Sequence, residues 1–123
     1  MRQIDFIYLA SASPRRRQLL DQLGVRHQLL VADATEDAEA LEATRLGELP
    51  AAYVRRVTSA KLRAARARLA RRGWPIAPIL CADTTVALGT HILGKPADAA
   101  QAIAMLTLLS GRPHRVISGV ALF

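Results

Sequence analysis

Between Phe6 and Arg17 the chain passes from an apolar run of strand formers, Phe6-Ile7-Tyr8-Leu9-Ala10, through Ser11-Ala12-Ser13-Pro14 into three consecutive arginines. The run reads as a buried first strand. A helix must begin directly after it, because Ser13 is a natural N-cap and Pro14 suits the first helical position. Leu19, Leu20 and Leu23 then make an apolar stripe, and Gly24 stops the helix. Strand, tight turn and helix form the opening unit. Arg15, Arg16 and Arg17 fall at the positive end of that helix, where each cation costs roughly 0.3 to 1 kcal/mol. Free backbone N–H groups and neighbouring guanidinium groups at one helix start suit an anion such as phosphate. The bland alternative, an exposed basic turn in an Arg-rich chain, fits Arg17 better than it fits all three.

The pattern continues in the same style. Residues 27–31 read as a second strand, followed by an acidic, irregular stretch with Asp33, Glu36, Asp37, Glu39, Glu42 and Glu48, most of which are expected to be merely solvated. Pro50 opens a long helix to about Arg72, ended by Gly73. Residues 78–88 read as a strand, Gly89-Thr90 as a turn and His91-Ile92-Leu93 as its return. A helix over about 98–109 is closed by Ser110-Gly111, and 115–123 is an apolar strand that stops without a turn or polar tail. Such an ending looks like an interrupted sheet, since unprotected apolar edges are an aggregation hazard.

At 123 residues, 51% hydrophobic, the chain suits one compact domain over residues 1–123 and is too short for two ordinary ones. Only 4% of residues are aromatic, so Ala, Leu, Ile and Val must build the core. The single Cys81 excludes a disulfide framework, and no apolar run is long enough for a signal peptide or a membrane span. A cytoplasmic protein without a membrane partner is the simplest expectation. The net charge of +7 favours a polyanion without choosing among nucleic acid, phosphorylated metabolite and acidic membrane.

Of the 17 basic side chains only Lys61 and Lys95 are lysines. On the long helix Val54, Val57, Leu62, Ala65 and Leu69 share one face, and Arg55, Arg56, Arg63 and Arg66 the other. Lys61 falls within the apolar stripe, where it either snorkels to the rim or lines a cleft and meets an anion. On the stripe alone, Lys61→Leu is expected to be neutral or stabilising for folding. Asp83 lies in an apolar strand, where an unpaired carboxylate is expensive, so it needs a cation, a metal or backbone N–H groups. Lys95, in Leu93-Gly94-Lys95-Pro96, serves equally as a solvated turn residue or an anion partner.

Taken together, Leu9-Ala-Ser-Ala-Ser-Pro-Arg-Arg16, Cys81-Ala-Asp-Thr84, Ile92-Leu-Gly-Lys-Pro96 and Leu109-Ser-Gly-Arg112 resemble the Maf family of nucleoside triphosphate pyrophosphatases, in the family's order. The resemblance runs from Ile7 to Phe123 and implies an α/β fold with a mixed, strongly twisted sheet flanked by helices. It also implies that the chain is the N-terminal portion of such a protein, without the further strands and second lobe. By the family's pattern Ser13, Arg15, Arg16, Lys61 and Lys95 hold the triphosphate. Asp83 is the proton acceptor and, with Glu36, a ligand of Mg²⁺ or another divalent cation such as Mn²⁺. Arg15 and Thr84 resemble the branch acting on dTTP and UTP. Cys81 stands where the family commonly has glycine, and Ala34-Thr35-Glu36-Asp37 departs from its usual Asp-Glu pattern.

The implied reaction is hydrolysis of a nucleoside triphosphate between the α and β phosphates. Such chemistry needs charge neutralisation more than covalent catalysis. One alternative is a basic nucleic-acid-binding module, which the scarcity of aromatic side chains disfavours. Another is a non-catalytic role in division control. The open sheet leaves room for two chains to pair as a homodimer.

Overall fold

In the computed structural model, which describes residues 5–123, the chain folds as β1 (Ile7–Leu9), α1 (Pro14–Gln22), β2 (His27–Leu29), α2 (Pro50–Arg72), β3 (Ile79–Leu88), β4 (His91–Leu93), α3 (Ala99–Leu109) and β5 (Arg115–Leu122). A single 3-10 turn, Glu39–Glu42, interrupts the acidic stretch. The five strands make one mixed, open sheet in the order β2-β1-β3-β4, with β5 on the other flank of β3. β1 runs parallel to β2 and to the start of β3, whereas β4 and β5 are antiparallel to β3.

The opening unit forms as its residues dictate. Ser13 is extended, its hydroxyl accepts from the Arg16 N–H, and Pro14 takes the first helical position. α2 begins at Pro50 and ends on Gly73, whose φ of 63° places it in the left-handed region that glycine adopts without strain. Arg71 and Arg72 occupy its last turn, where cations oppose the negative end of the helix. Asp98 caps α3 by accepting from the Gln101 N–H at 2.8 Å. β2 is shorter than its sequence suggests, for a polar reason. The Leu30 N–H still pairs with the Leu9 carbonyl, but the Leu30 and Val31 carbonyls accept from Arg68 and Arg72, which ends the strand ladder.

α2 packs across one face of the sheet. β3 alternates strictly, with Ile79, Cys81, Asp83, Thr85 and Ala87 buried. Tyr8, Leu30, Ala65, Leu69, Ala77 and Ile79 form the main apolar cluster; Tyr53, Val54 and Val57 form a second with Ile92 and Ile117. Trp74 stacks on Tyr8, whose hydroxyl donates to the Pro75 carbonyl at 2.7 Å. The opposite side of β5, with Val116, Val120 and Leu122, is exposed, as are Ile103 and Leu106 of α3. Among the described residues no helix is long and apolar enough to cross a membrane.

Where β5 crosses under α2 the backbones approach through Gly119. A Cβ there would lie 2.5 Å from Thr58 Oγ1 and 2.8 Å from Val54 Cγ1. Both neighbours are buried β-branched helix residues with little freedom to move. Gly119→Ala is therefore expected to destabilise the fold by about 1–3 kcal/mol in chemical denaturation, whereas an unchanged midpoint would show that α2 does not sit this close to β5.

Candidate functional site

β3 runs on past the end of β1, and the turn into α1 leaves a gap beside it. A cleft of about 800 Å³ opens there, at the carboxyl end of β1, where open α/β sheets commonly take ligands. Ser13 and Arg16 reach it from α1, Lys61 and Arg68 from α2, Asp83 and Thr84 from β3, Glu42 from the 3-10 turn and Lys95 from the segment after β4. A smaller hollow of about 390 Å³ lies against the outer side of α1, lined by Pro14, Arg17, Asp21 and His27 among others. None of the candidate site residues lines it.

Lys61 is the hub of the cleft. Its Nζ donates to Glu42 Oε1 at 2.7 Å and to Asp83 Oδ1 at 2.9 Å, and Lys95 Nζ stands 3.8 Å from the same Glu42 oxygen. Burial alone would lower the Lys61 pKa, but the two carboxylates outweigh it and hold the ammonium above its ordinary value. Burial likewise pushes Glu42 up, and the bonds and charges of Lys61 and Lys95 bring it below the usual carboxylate range. The inward lysine thus meets an anion, and that anion is supplied by the protein itself.

Arg16 donates to Ser11 Oγ at 3.0 Å and reaches Thr84 Oγ1 at 3.4 Å, and Thr84 shares a hydroxyl contact of 2.8 Å with Ser118. Of the three arginines only Arg16 turns into the cleft; Arg15 and Arg17 are exposed and do not line it. Cys81 is buried, its thiol pushed up by burial, so it is held as a packed thiol and not as a nucleophile.

Glu36 is placed differently from its expected position beside Asp83. Both of its oxygens are bound by Arg68, Nε and Nη2 donating at 2.8 Å each, with Arg71 at 3.2 Å. Arg68's hydrogen bonds hold the Glu36 carboxyl below the usual range against the opposing effect of burial. The carboxylate that Lys61 brings to Asp83 is instead Glu42, from the stretch expected to be solvated. Among the described residues no group of three or more His, Cys, Asp or Glu gathers as a metal site.

Glu42 and Arg68 were missed in the sequence for different reasons. Arg68 follows Lys61 by seven residues, two helical turns along the same stripe, so its inward position was readable. Nothing local marks Glu42, whose partner lies 19 residues further on.

Three of the four motifs reach this one cleft, Leu109-Ser-Gly-Arg112 being the exception, and in sequence comparison the family described as Maf-like protein matches residues 6–123. The chain belongs to the Maf family. It is 66% identical over 118 residues to a dTTP/UTP pyrophosphatase of Albidiferax ferrireducens, covering 96% of this chain and 59% of that protein. A dTTP/UTP pyrophosphatase of Burkholderia pseudomallei is 63% identical over 116 residues, covering 94% and 56%. One of Polaromonas sp. is 62% identical over 117 residues, covering 95% and 58%. This Maf-family chain therefore spans somewhat more than half the length of the curated relatives it matches.

The geometry reverses the expectation that Lys61 can be replaced without cost. Lys61→Met removes the ammonium shared by the half-buried Glu42 and the buried Asp83 and should destabilise the fold by about 1–3 kcal/mol at pH 7. Glu42 has a depressed folded pKa, so its stabilising contribution is complete above the unfolded value of about 4.3 and is lost as pH falls through the folded value. Thermal unfolding followed by circular dichroism should show the variant's deficit at pH 6–8 shrinking below about pH 4. A variant as stable as the parent at pH 7 would show that Lys61 does not bind both carboxylates.

Proposed function

We propose that this chain carries the phosphate-binding and water-activating part of a nucleoside triphosphate pyrophosphatase. The reaction releases pyrophosphate and the nucleoside monophosphate. The observation that carries this reading is that the positive end of α1, Arg16, Lys61 and Lys95 converge on the same cleft as Asp83, the only carboxylate on β3. An uncharged ligand would not need that arrangement; a triphosphate does, because its hydrolysis is limited by charge repulsion.

Water attacks the α phosphorus, the bond to the bridging oxygen breaks, and pyrophosphate leaves with the electron pair. Asp83 accepts the proton of the attacking water, and Lys61, which donates to it at 2.9 Å, holds the carboxylate in place. Arg16 and Lys95 bind phosphate oxygens, with Ser13 fixing the helix start that carries Arg16. Asp83 and Glu42 converge on one ammonium, and such a pair of oxygen donors fits Mg²⁺, which is commonly held by one or two carboxylates together with substrate phosphates. When bound, such a divalent ion neutralises phosphate charge and orients the leaving group. Glu36, with both oxygens on Arg68, is not assigned to it.

The preference for dTTP and UTP is carried over from the names of the relatives. Thr84 is the candidate base-selecting residue that lines the cleft; Arg15 does not. A nucleic-acid-binding role is less well supported, because two arginines of the α2 basic face are already engaged. Arg56 is clamped by Glu48, and the Arg66 guanidinium lies 3.6 Å from the centre of the Phe123 ring. The three relatives are each named as enzymes, which favours catalysis over a purely regulatory role. Nucleotide substrates and a buried free thiol both suit the cytoplasm.

Release of pyrophosphate from dTTP, UTP, ATP, GTP and 7-methyl-GTP in the presence of Mg²⁺ tests the assignment. The expected result is turnover of dTTP and UTP well above the purine nucleotides, falling by at least about 10²-fold in Asp83→Asn with the circular dichroism spectrum retained. Unchanged turnover in Asp83→Asn would remove Asp83 from the chemistry, and purine preference would refute the substrate branch.

A further inference from the structure

Arg68 is among the most buried charged residues of the fold, its side chain 7% exposed, and it lines the cleft. Each of its three nitrogens donates to a protein acceptor at 2.8 Å: Nε and Nη2 to the two oxygens of Glu36, and Nη1 to the Leu30 carbonyl. The neighbouring Arg72 binds the Val31 carbonyl at 2.7 Å and lies 3.6 Å from Asp33. Leu30 is fully buried, and Val31 and Ala32 line the cleft directly. The segment that leaves β2 is thus held at both ends of residues 30–36 by one guanidinium on α2. Among the described residues no strand pairs with the carbonyls of Leu30 and Val31, so these side chains replace the sheet there.

We propose that Arg68 is a positioning residue of the nucleotide cleft, fixing residues 30–36 as one of its walls through Glu36 and the Leu30 carbonyl. This rests on the reading of the cleft as a nucleotide site. The planar fork is essential to the role, since a lysine keeps the charge but cannot span two carboxylate oxygens and a carbonyl at once. The role also separates Arg68 from a phosphate ligand. A phosphate contact would tolerate lysine and would add to the salt dependence of binding, whereas a wall support would fail with lysine and leave that dependence unchanged.

The test combines dTTP binding by calorimetry, at several salt concentrations with Mg²⁺ present, with amide hydrogen exchange, on the 123-residue chain and on Arg68→Lys, Glu36→Gln and the double variant. Glu36→Gln preserves shape and guards against simple misfolding of the Arg68 variant. The expected result is faster exchange over residues 31–37 in all three variants with β3 protected as in the parent. Affinity for dTTP should weaken on the order of tenfold, as outer supports of binding groups commonly show, with the salt dependence unchanged and the double variant no worse than either single one. Parent-like exchange over residues 31–37, parent-like affinity in Arg68→Lys, or additive losses would each overturn the positioning role. Absence of dTTP binding by the parent chain would instead overturn the nucleotide reading, and the proposal with it.

Discussion

The cleft depends on how the acidic segment between β2 and α2 is bound down along α2. Asp33 meets Arg72, Glu36 meets Arg68, Glu42 meets Lys61 and Glu48 meets Arg56, so the acids ascend in number as the bases descend. A segment with almost no regular structure is thereby laid antiparallel along one side of a 23-residue helix. Tyr53 reinforces the arrangement by donating to the Glu42 carbonyl, as does Arg56 to the Ala43 carbonyl. The contacts are unequal. Asp33 is half exposed and its contact with Arg72 is long, so that pair contributes little. The Arg68 fork is nearly dry and hydrogen-bonded on every nitrogen, so breaking it would strand a buried charge.

This arrangement makes a carboxylate on a buried strand tolerable. Asp83 sits on the α2 face of β3 among apolar neighbours, and Lys61 supplies the hydrogen-bonded counter-charge that a buried carboxylate needs. Lys61 in turn is held by Glu42 from the segment bound along α2. The same charges that secure the fold therefore hold Asp83 in place at the floor of a cleft whose other residues favour anions. Folding and chemistry use one set of contacts.

Features carried by local signals were legible in the sequence. Ser13-Pro14, Pro50 and Gly73 set helix limits through backbone constraints that act within a few residues, and the alternation of β3 follows from one face being covered. The inward position of Lys61 was visible in the stripe, but what it meets was not, because Glu42 and Asp83 are 19 and 22 residues away in opposite directions. The acids of the 33–48 stretch looked like solvated charge for the same reason: their partners are set by how the chain returns along α2. The motif match supplied Glu36 without its partner, and only the three-dimensional arrangement shows both its oxygens turned to Arg68.

The charges of α2 hold Glu42 and Glu36 ionised against the effect of burial. Carbon-13 NMR titration of the glutamate carboxyl groups, in the parent chain and in Lys61→Met, measures it directly. Both carboxyl groups should titrate below the ordinary glutamate value of about 4.3 in the parent. In Lys61→Met, Glu42 alone should rise, because burial is then opposed by Lys95 only, while Glu36 on its Arg68 fork stays low. Ordinary titration of Glu42 in the parent, or no change in Lys61→Met, would show that Lys61 does not hold Glu42 ionised.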